Sequence, residues 1–272
     1  MSIKMDWGMK NRLGSIFNQK SGKTVMLAVD HGYFQGPTTG LKRPREAINP
    51  LMPYCDSLFV TRGILRNCIN PATKTPIFLR VSGGPSVLGD MSNEDLTTSM
   101  KEALRLNAIG VGMSIFVGAK NEDRTISNLG RLVNEAEEYG MPVLAITAVG
   151  KEMGRDARYL GLATRVAAEI GAHMVKTYYC AEDFEKVVEG CPVPIVIAGG
   201  KKIPEKEALE MCFYAITKGA AGVDMGRNIF QSENPVAMIQ AVRAVVHEHY
   251  TADEAFELFN KLKNQVVSSV VE

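Results

Sequence analysis

The sequence has no long apolar run, no signal-peptide pattern and no paired cysteines. Nowhere among the 272 residues do about 18 apolar residues follow one another, so we expect no membrane span. Residues 1–8 lack the apolar core and the cleavage pattern of a secretory signal. The cysteines are odd in number, scattered and without a Cys-x-x-Cys pair, which is typical of free thiols in a reducing cytoplasm. They are Cys55, Cys68, Cys180, Cys191 and Cys212.

An excess of charge and a histidine cluster are also missing. Lys and Arg number 31 against 30 for Asp and Glu, a net charge of +1, which does not indicate a nucleic-acid partner. Of the four histidines, only His31 follows a predicted strand at the functional end. His247 and His249 belong to a predicted C-terminal helix, where we expect both to be exposed. No three-ligand zinc set is apparent, so we predict no metal.

Eight short apolar runs alternate with stretches of helical periodicity. Near-continuous apolar strands separated by helices predict parallel strands covered on the outside by helices. The runs are Thr24–Asp30, Ser57–Arg62, Pro76–Ser82, Gly112–Val117, Val143–Ala148, His173–Tyr178, Pro194–Ala198 and Gly222–Met225.

Eight such units predict an α/β fold, a (β/α)8 TIM barrel, in one domain over 1–272. The length suits this fold, which typically takes about 250 residues. We expect a short N-terminal segment over 1–23 and a C-terminal helical tail over about 234–272. An open doubly wound sheet is the competing architecture. It is disfavoured because the first strand is followed by Asp30-His31-Gly32-Tyr33 instead of the dinucleotide-binding GxGxxG pattern.

Several residues predict where helices begin. Ser92-Asn93-Glu94-Asp95 resembles a capping box that opens a helix carrying Leu96 and Met100 on its apolar face. Asn234-Pro235 is typical of an N-cap followed by proline at the first helical position. The connection between the second and third strands contains Pro71 and predicts only about one turn of helix.

Lys176 lies inside an apolar strand, and alternation places it on one face with Met174 and Tyr178, towards the barrel interior. Burial disfavours the ammonium form, and a neutral amine can attack a ketone to form a Schiff base. Two structural interpretations stay open. The lysine could reach solvent from an edge strand, or it could pair with an interior carboxylate.

Asp30 ends the first strand, where its carboxylate could pair with Lys176 and transfer protons. An aspartate that caps the turn after the strand is the alternative. His31 is a candidate hydrogen-bond donor to substrate, and a role in a helix or turn is equally compatible with the sequence.

The last two strand ends predict a phosphate site. Gly199-Gly200 lets backbone N–H groups approach an anion closely, and Gly226-Arg227 adds a backbone site and a fixed charge. In barrels of this type, phosphate commonly binds at the loops after strands seven and eight. The alternative for the glycine pair is an ordinary tight turn. Cys180 near the sixth strand end is a weaker nucleophile candidate, because no histidine is placed to activate it.

These residues together resemble the class I aldolase superfamily of archaeal-type fructose-bisphosphate aldolases. The shared segments are Val29–Gly32, Lys176, Ala198–Gly200 and Met225–Arg227. The resemblance implies a TIM barrel in which Lys176 and Asp30 are catalytic. It also implies that Gly199, Gly200, Gly226 and Arg227 bind the substrate phosphate.

The longer segments are similar to one branch of that superfamily, the thiolases that degrade the phosphorylated autoinducer-2 signal. These segments are 6–9, 30–40, 175–179 and 226–231. The resemblance implies transfer of an acetyl group from a phosphorylated diketone to coenzyme A, a co-substrate for which the chain shows no binding motif. It implies no permanently bound cofactor. It also implies a cytoplasmic homo-oligomer, a decamer of pentameric rings.

One segment departs from the aldolase pattern. The aldolases carry Tyr-Pro-Arg-Gly after the fifth strand, and this chain has Thr147-Ala148-Val149-Gly150. In aldol cleavage the tyrosine helps to move a hydroxyl proton, whereas in thiolysis a thiolate attacks a carbonyl that has no such proton. The departure therefore argues against ordinary aldol cleavage and is compatible with the thiolase. A Schiff-base aldolase acting on a phosphorylated sugar is the second hypothesis, and a non-catalytic sugar-phosphate sensor is the third.

Overall fold

The computed structural model describes residues 6–148 and 154–268, with side chains up to residue 265. The described residues form ten strands: β1 Thr24–Ala28, β2 Ser57–Thr61, β3 Ile77–Arg80, β4 Ser82–Gly83, β5 Asp95–Leu96, β6 Gly110–Ile115, β7 Val143–Thr147, β8 Met174–Tyr178, β9 Ile195–Ala198 and β10 Gly222–Met225. The helices are α1 Trp7–Ile16, α2 Gly32–Gln35, α3 Pro44–Ile48, α4 Arg62–Cys68, α5 Met100–Arg105, α6 Glu122–Glu137, α7 Ala157–Glu169, α8 Phe184–Glu189, α9 Glu205–Thr217, α10 Arg227–Phe230, α11 Pro235–Glu248 and α12 Ala252–Ser268, with one 3-10 turn at Met52–Tyr54.

Eight of these strands form a closed parallel barrel in the order β1-β2-β3-β6-β7-β8-β9-β10, and β10 pairs with β1 to close it. The predicted (β/α)8 TIM barrel is confirmed, and each of the eight barrel strands overlaps one of the eight predicted runs. The strand carrying Gly112 begins two residues earlier than predicted, at Gly110. The carboxyl ends of all eight strands open on the same face, which is where function is expected.

The lower half of the barrel interior is apolar. Strand alternation turns every second side chain inward, and these side chains form a buried cluster. Two large rings are accommodated because glycines face them: a Cβ on Gly110 would lie 2.3 Å from the Phe78 ring, and one on Gly112 would lie 2.6 Å from the Phe59 ring. The cluster consists of Ile16, Met26, Ala28, Phe59, Phe78, Leu144, Met174 and Val196.

Helix α1 closes the barrel at its N-terminal end. Asp6 caps the helix by accepting a hydrogen bond from the Met9 backbone N–H. Ile16 at the helix end is fully buried in the interior cluster, and Leu13 and Phe17 pack against it. The short N-terminal segment expected over 1–23 therefore supplies the floor of the barrel.

Two helix predictions were wrong. Ser92 does not cap a helix: Asp95–Leu96 instead pairs antiparallel with Ser82–Gly83, and the helix begins later, where Ser99 accepts a hydrogen bond from Glu102. The capping pattern failed because the pairing of strands β4 and β5 takes up the residues after Ser92. The connection after β2 also holds more helix than expected, because α4 begins at Arg62 directly after the strand.

The C-terminal helices pack together on the outside of the barrel. Asn234 caps α11 as predicted, accepting a hydrogen bond from the Ala237 N–H. The prediction that His247 is exposed was wrong. Its ring is buried because it lies between Asp56 Oδ2 and Ser21 Oγ, 2.8 Å from each, whereas His249 is exposed. None of the helices in the described ranges is both long and apolar enough to cross a membrane.

Candidate active site

Lys176 projects from β8 into the barrel and forms an ion pair with Asp224 of β10. The distance between Lys176 Nζ and Asp224 Oδ2 is 2.8 Å, and both residues are buried. The Phe59 ring centre lies 5.8 Å from the ammonium. The lysine therefore sits at the boundary between the apolar lower half of the barrel and a polar layer above it. Of the two structural interpretations, the structure supports the pairing with an interior carboxylate.

Asp30 has a different partner from the one predicted. Its Oδ2 lies 3.2 Å from Arg80 Nη1, and its Oδ1 lies 3.8 Å from His31 Nδ1. The predicted ion pair between Asp30 and Lys176 is replaced by the pair between Asp224 and Lys176. The reason is geometric. Arg80 of β3 occupies the same layer as Asp30, and its guanidinium takes up the carboxylate.

Arg80 is the centre of a buried polar network. Its Nη2 contacts both carboxylate oxygens of Glu94, at 2.7 and 2.9 Å, and donates to Ser114 Oγ at 2.7 Å. Ser82 Oγ donates to Glu94 at 2.7 Å, and the Tyr33 hydroxyl contacts both Arg80 and Glu94. The network connects strands β3, β4 and β6 with the segment that follows β1, and it holds Asp30 in place.

Sequence reasoning missed the roles of Asp224 and Glu94. Asp224 is a charged residue in the short apolar strand Gly222–Met225, two positions before Gly226, so alternation alone places it in the barrel interior. A buried charge of this kind needs a partner, which was the available signal. Glu94 gave no such signal, because its partner Arg80 lies 14 residues away and the local pattern favoured a helix cap.

Burial sets the protonation of this layer. It lowers the pKa of His31 to about 4, a shift that the Asp30 carboxylate opposes and that nearby cations reinforce. The imidazole is therefore neutral near pH 7. Burial raises the pKa of Asp224, against the opposing effect of the Lys176 ammonium. The pKa of Arg80 is raised, because its anionic neighbours outweigh the burial that alone would lower it.

The predicted phosphate residues meet beside this layer, at the ends of β9 and β10. Gly200 has a positive φ of 69°, and a Cβ there would lie 3.8 Å from Arg155 Nη1. A Cβ on Gly226 would lie 2.3 Å from the Ala28 carbonyl oxygen, so only glycine fits. Burial lowers the pKa of Arg227, and Arg155 adds to the shift.

Arg155 is a second cation at this end that sequence reasoning did not single out. Its guanidinium carbon lies 3.7 Å from the ring centre of Tyr178, which shares the inward face of β8 with Lys176. Lys202 is engaged elsewhere, 2.8 Å from Glu205 Oε1. The cations and the backbone of the glycine segments make this end suited to an anion.

Of the segment that departs from the aldolase pattern, the structure describes Thr147 and Ala148, and Thr147 places no group beside the lysine. Thr147 Oγ1 lies 2.8 Å from Thr177 Oγ1 and 3.2 Å from the Lys176 carbonyl oxygen, so its side chain points away from the interior. Val149 and Gly150 lie outside the described residues. Burial raises the pKa of the Cys180 thiol, and its Sγ contacts the Glu182 carbonyl oxygen, so the thiol is not activated.

A closed (β/α)8 barrel with a buried lysine on its sixth strand defines an enzyme of the class I aldolase superfamily. The model of the DeoC/LacD family aldolases matches residues 24–232, and the chain belongs to this family.

Two relatives are similar over nearly the whole chain. A 3-hydroxy-5-phosphonooxypentane-2,4-dione thiolase of Photorhabdus laumondii is 58% identical over 94% of this chain and 88% of its own length. The protein of the same description from Escherichia coli K12 has the same identity and the same coverage.

Solved structures agree with the fold. An archaeal fructose 1,6-bisphosphate aldolase superimposes with a TM-score of 0.78 at 24% identity, covering 89% of this chain and 99% of that one. A second archaeal aldolase structure, in which the catalytic lysine is covalently bound to the carbinolamine intermediate of its substrate, has a TM-score of 0.78 at 25% identity. It covers 88% of this chain and 99% of that one.

Proposed function

We propose that the protein is a Schiff-base-forming thiolase that moves the acetyl group of 3-hydroxy-5-phosphonooxypentane-2,4-dione to coenzyme A. The products are acetyl-CoA and dihydroxyacetone phosphate, and the reaction belongs to the degradation of phosphorylated autoinducer-2. One observation carries the proposal: Lys176 is buried in the barrel beside a carboxylate, in a chain 58% identical to thiolases of this description.

Lys176 acts on the ketone next to the phosphate-bearing carbon. Its amine forms a bond to this carbon and water leaves, which produces an iminium that can accept electrons. The coenzyme A thiolate then adds to the acetyl carbonyl, and the bond between that carbon and the hydroxyl-bearing carbon breaks. The electron pair of this bond moves towards the iminium and leaves an enamine. Protonation of the enamine and hydrolysis release dihydroxyacetone phosphate and restore Lys176.

The remaining predicted residues orient the substrate. Gly199, Gly200, Gly226 and Arg227 bind the phosphate, and they fix the reacting carbons above Lys176. Asp30, held by Arg80, moves protons at the hydroxyl-bearing carbon. His31 is neutral near pH 7, so it binds the substrate through a hydrogen bond without adding charge.

The proposal is tested by mass spectrometry of the products formed from the diketone with coenzyme A, and by borohydride trapping of the protein-bound intermediate. Acetyl-CoA, dihydroxyacetone phosphate and one trapped adduct are expected. Lys176→Ala abolishes both turnover and trapping, whereas the exposed control Lys101→Ala retains both.

Arg227→Gln raises KM by about 10- to 100-fold, because a charge-assisted hydrogen bond to phosphate is lost.

A class I aldolase is the second candidate, supported by the likeness of the fold to archaeal fructose-bisphosphate aldolases. Cleavage of a sugar phosphate without coenzyme A, together with no acetyl-CoA from the diketone, would establish the aldolase and contradict the thiolase. An adduct that still forms on the Lys176→Ala protein contradicts both.

We also propose that the protein is a cytoplasmic homo-oligomer, a decamer of pentameric rings, as the thiolase resemblance implies. The large exposed side chains of Trp7 and Leu88, 77% and 95% accessible in the single chain, are consistent with contacts between subunits. Light scattering of the purified protein tests the proposal, which a monomer at micromolar concentration would contradict.

A further inference from the structure

The stability of the barrel does not require a carboxylate at position 224. Asp224 is 1% exposed, and its neighbours in the strand register are Met26 on β1 and Ala198 on β9. Burying an ion pair usually stabilises a protein no more than a well-packed apolar residue of similar volume does. The contact that distinguishes this position is the one with Lys176 Nζ, at 2.8 Å. A chemical role explains the carboxylate better than a packing role.

We infer that Asp224 is a catalytic residue that exchanges protons with Lys176 and balances the charge of its iminium. The inference rests on the Schiff-base part of the proposed function and not on the identity of the diketone.

Lys176 and Asp224 together supply every proton transfer needed to form the iminium. One proton moves from Lys176 Nζ to Asp224 Oδ2, which leaves a neutral amine and a carboxylic acid. The amine nitrogen bonds to the ketone carbon, and the carbonyl electron pair moves to oxygen, which takes the proton from Asp224. The nitrogen then returns a second proton to Asp224. Finally the hydroxyl takes that proton and leaves as water, and the nitrogen lone pair forms the iminium beside the restored carboxylate.

Among the charged groups of this layer, Asp224 is the one placed to exchange protons with Lys176. Asp30 is paired with the buried Arg80 guanidinium, 3.2 Å away, and not with Lys176. His31 and Arg227 face the same layer, and both contribute to its electrostatics. Burial raises the pKa of Asp224, which makes the neutral acid easier to reach than it is for an exposed aspartate.

The test uses Asp224→Asn and Asp224→Glu in the full chain, with dihydroxyacetone phosphate and borohydride and without coenzyme A. The rate of trapping is expected to fall by about 100-fold in Asp224→Asn, and Asp224→Glu is expected to recover part of it. Asp56→Asn is the matched control. Asp56 is also paired with cationic and histidine side chains, Arg243 and His247, but it lies at the opposite end of the barrel, so trapping stays at the wild-type rate.

A second readout separates chemistry from structure. The rate of trapping is measured against pH for the wild type and for Asp224→Asn. Loss of the proton-exchanging carboxylate changes the shape of this profile, which a purely structural role does not predict. If circular dichroism shows that the asparagine variant is unfolded, Asp224→Ser replaces it in both measurements.

The outcomes distinguish this inference from the function on which it rests. An adduct on the wild type that forms within twofold of the same rate on the neutral variants, with an unchanged pH profile, overturns the role of Asp224 alone. No adduct on the wild type overturns the Schiff-base function itself, and the role of Asp224 with it.

Discussion

At the scale of the residue, Arg80 joins two carboxylates that have no other cation in the contacts described above. It lies 3.2 Å from Asp30 and 2.7 Å from Glu94, and its guanidinium carbon lies 4.4 Å from the Tyr33 ring centre. All of these contacts are shielded from water, so the charges depend on one another. Loss of the Arg80 guanidinium therefore affects both carboxylates at once.

Replacing Arg80 by methionine is expected to lower the free energy of unfolding by about 3 kcal/mol or more, because it leaves two buried carboxylates without compensation. Urea unfolding measures the change. Arg80→Met combined with Glu94→Gln is expected to lose less than Arg80→Met alone. Arg105→Met, on a side chain that is 81% exposed, stays within about 0.5 kcal/mol of the wild type. Equal losses in the Arg80 and Arg105 variants would contradict the importance of the buried network.

His31 makes stability depend on pH. Its folded-state pKa of about 4 lies below the ordinary value of 6.5, so the unfolded chain binds more protons between these two values. The stabilisation is complete above the unfolded pKa and is lost as pH falls towards the folded pKa. Wild type is expected to lose about 2 kcal/mol more than His31→Gln between about pH 7 and about pH 5. The measurement is urea unfolding at both pH values, with exposed His249→Gln as the control. Parallel losses in wild type and His31→Gln would show that the ring is not responsible.

The positions of individual candidate residues were predictable where the sequence marks them locally. Lys176 stands out as a charge inside an apolar strand, and Gly226 and Arg227 follow directly after another strand. The partners were not predictable in the same way. Which carboxylate meets Lys176 depends on the strand register around the closed barrel, and neither Asp30 nor Asp224 carries that information in its own neighbourhood.

At the scale of the element, α1 is a short helix that packs against the barrel through one buried end. Ile16 is fully buried in the interior cluster, while Trp7 at the other end of the helix is 77% exposed. The helix is therefore held to the barrel by its C-terminal turn.

Ile16→Ala is expected to reduce the free energy of unfolding by about 2–4 kcal/mol, because it leaves a cavity under the barrel. Lys10→Ala, on an exposed side chain of the same helix, is expected to change stability by less than about 0.5 kcal/mol. Chemical denaturation of the two variants at one protein concentration measures the difference. A smaller effect for Ile16 than for Lys10 would mean that α1 does not form the floor.

Helix starts were predictable where the signal is independent of distant contacts. Asn234 followed by Pro235 fixes both a side-chain acceptor and a helical φ, and α11 begins there. The Ser92 pattern has the same chemistry, but Glu94 is drawn into the barrel by Arg80 and the following residues pair as a strand. Tertiary contacts overrode the local preference.

At the scale of the whole molecule, closure depends on the contact between the first and last strands. Thr24 pairs with Gly222, and a Cβ on Gly222 would lie 2.1 Å from the Thr24 carbonyl oxygen. Gly222 also has a positive φ of 152°. The eight alternating strand and helix segments predicted this closed architecture from the sequence. They did not predict the close backbone contact that restricts position 222 to glycine.

Gly222→Ala is expected to cost about 3 kcal/mol, because the added methyl group collides with backbone and must force the two strands apart. Gly161→Ala, where nothing lies within 4 Å of the new Cβ, is expected to be neutral or to stabilise α7 by up to about 1 kcal/mol. Thermal unfolding followed by circular dichroism compares them. A Gly222→Ala protein as stable as the wild type would show that the strands separate there at no cost.

The floor formed by α1 has a consequence for how reactants travel. Ile16, Leu13 and Phe17 close the N-terminal end of the barrel. Reactants and products therefore reach and leave Lys176 through the same opening, at the carboxyl ends of the strands. In the proposed reaction, the diketone occupies the deeper position, with its phosphate beside Arg227, before the thiol arrives above it. The acetyl thioester must then depart before the three-carbon phosphate is released. The kinetics are therefore expected to be ordered, with dihydroxyacetone phosphate competing against the diketone for the empty enzyme.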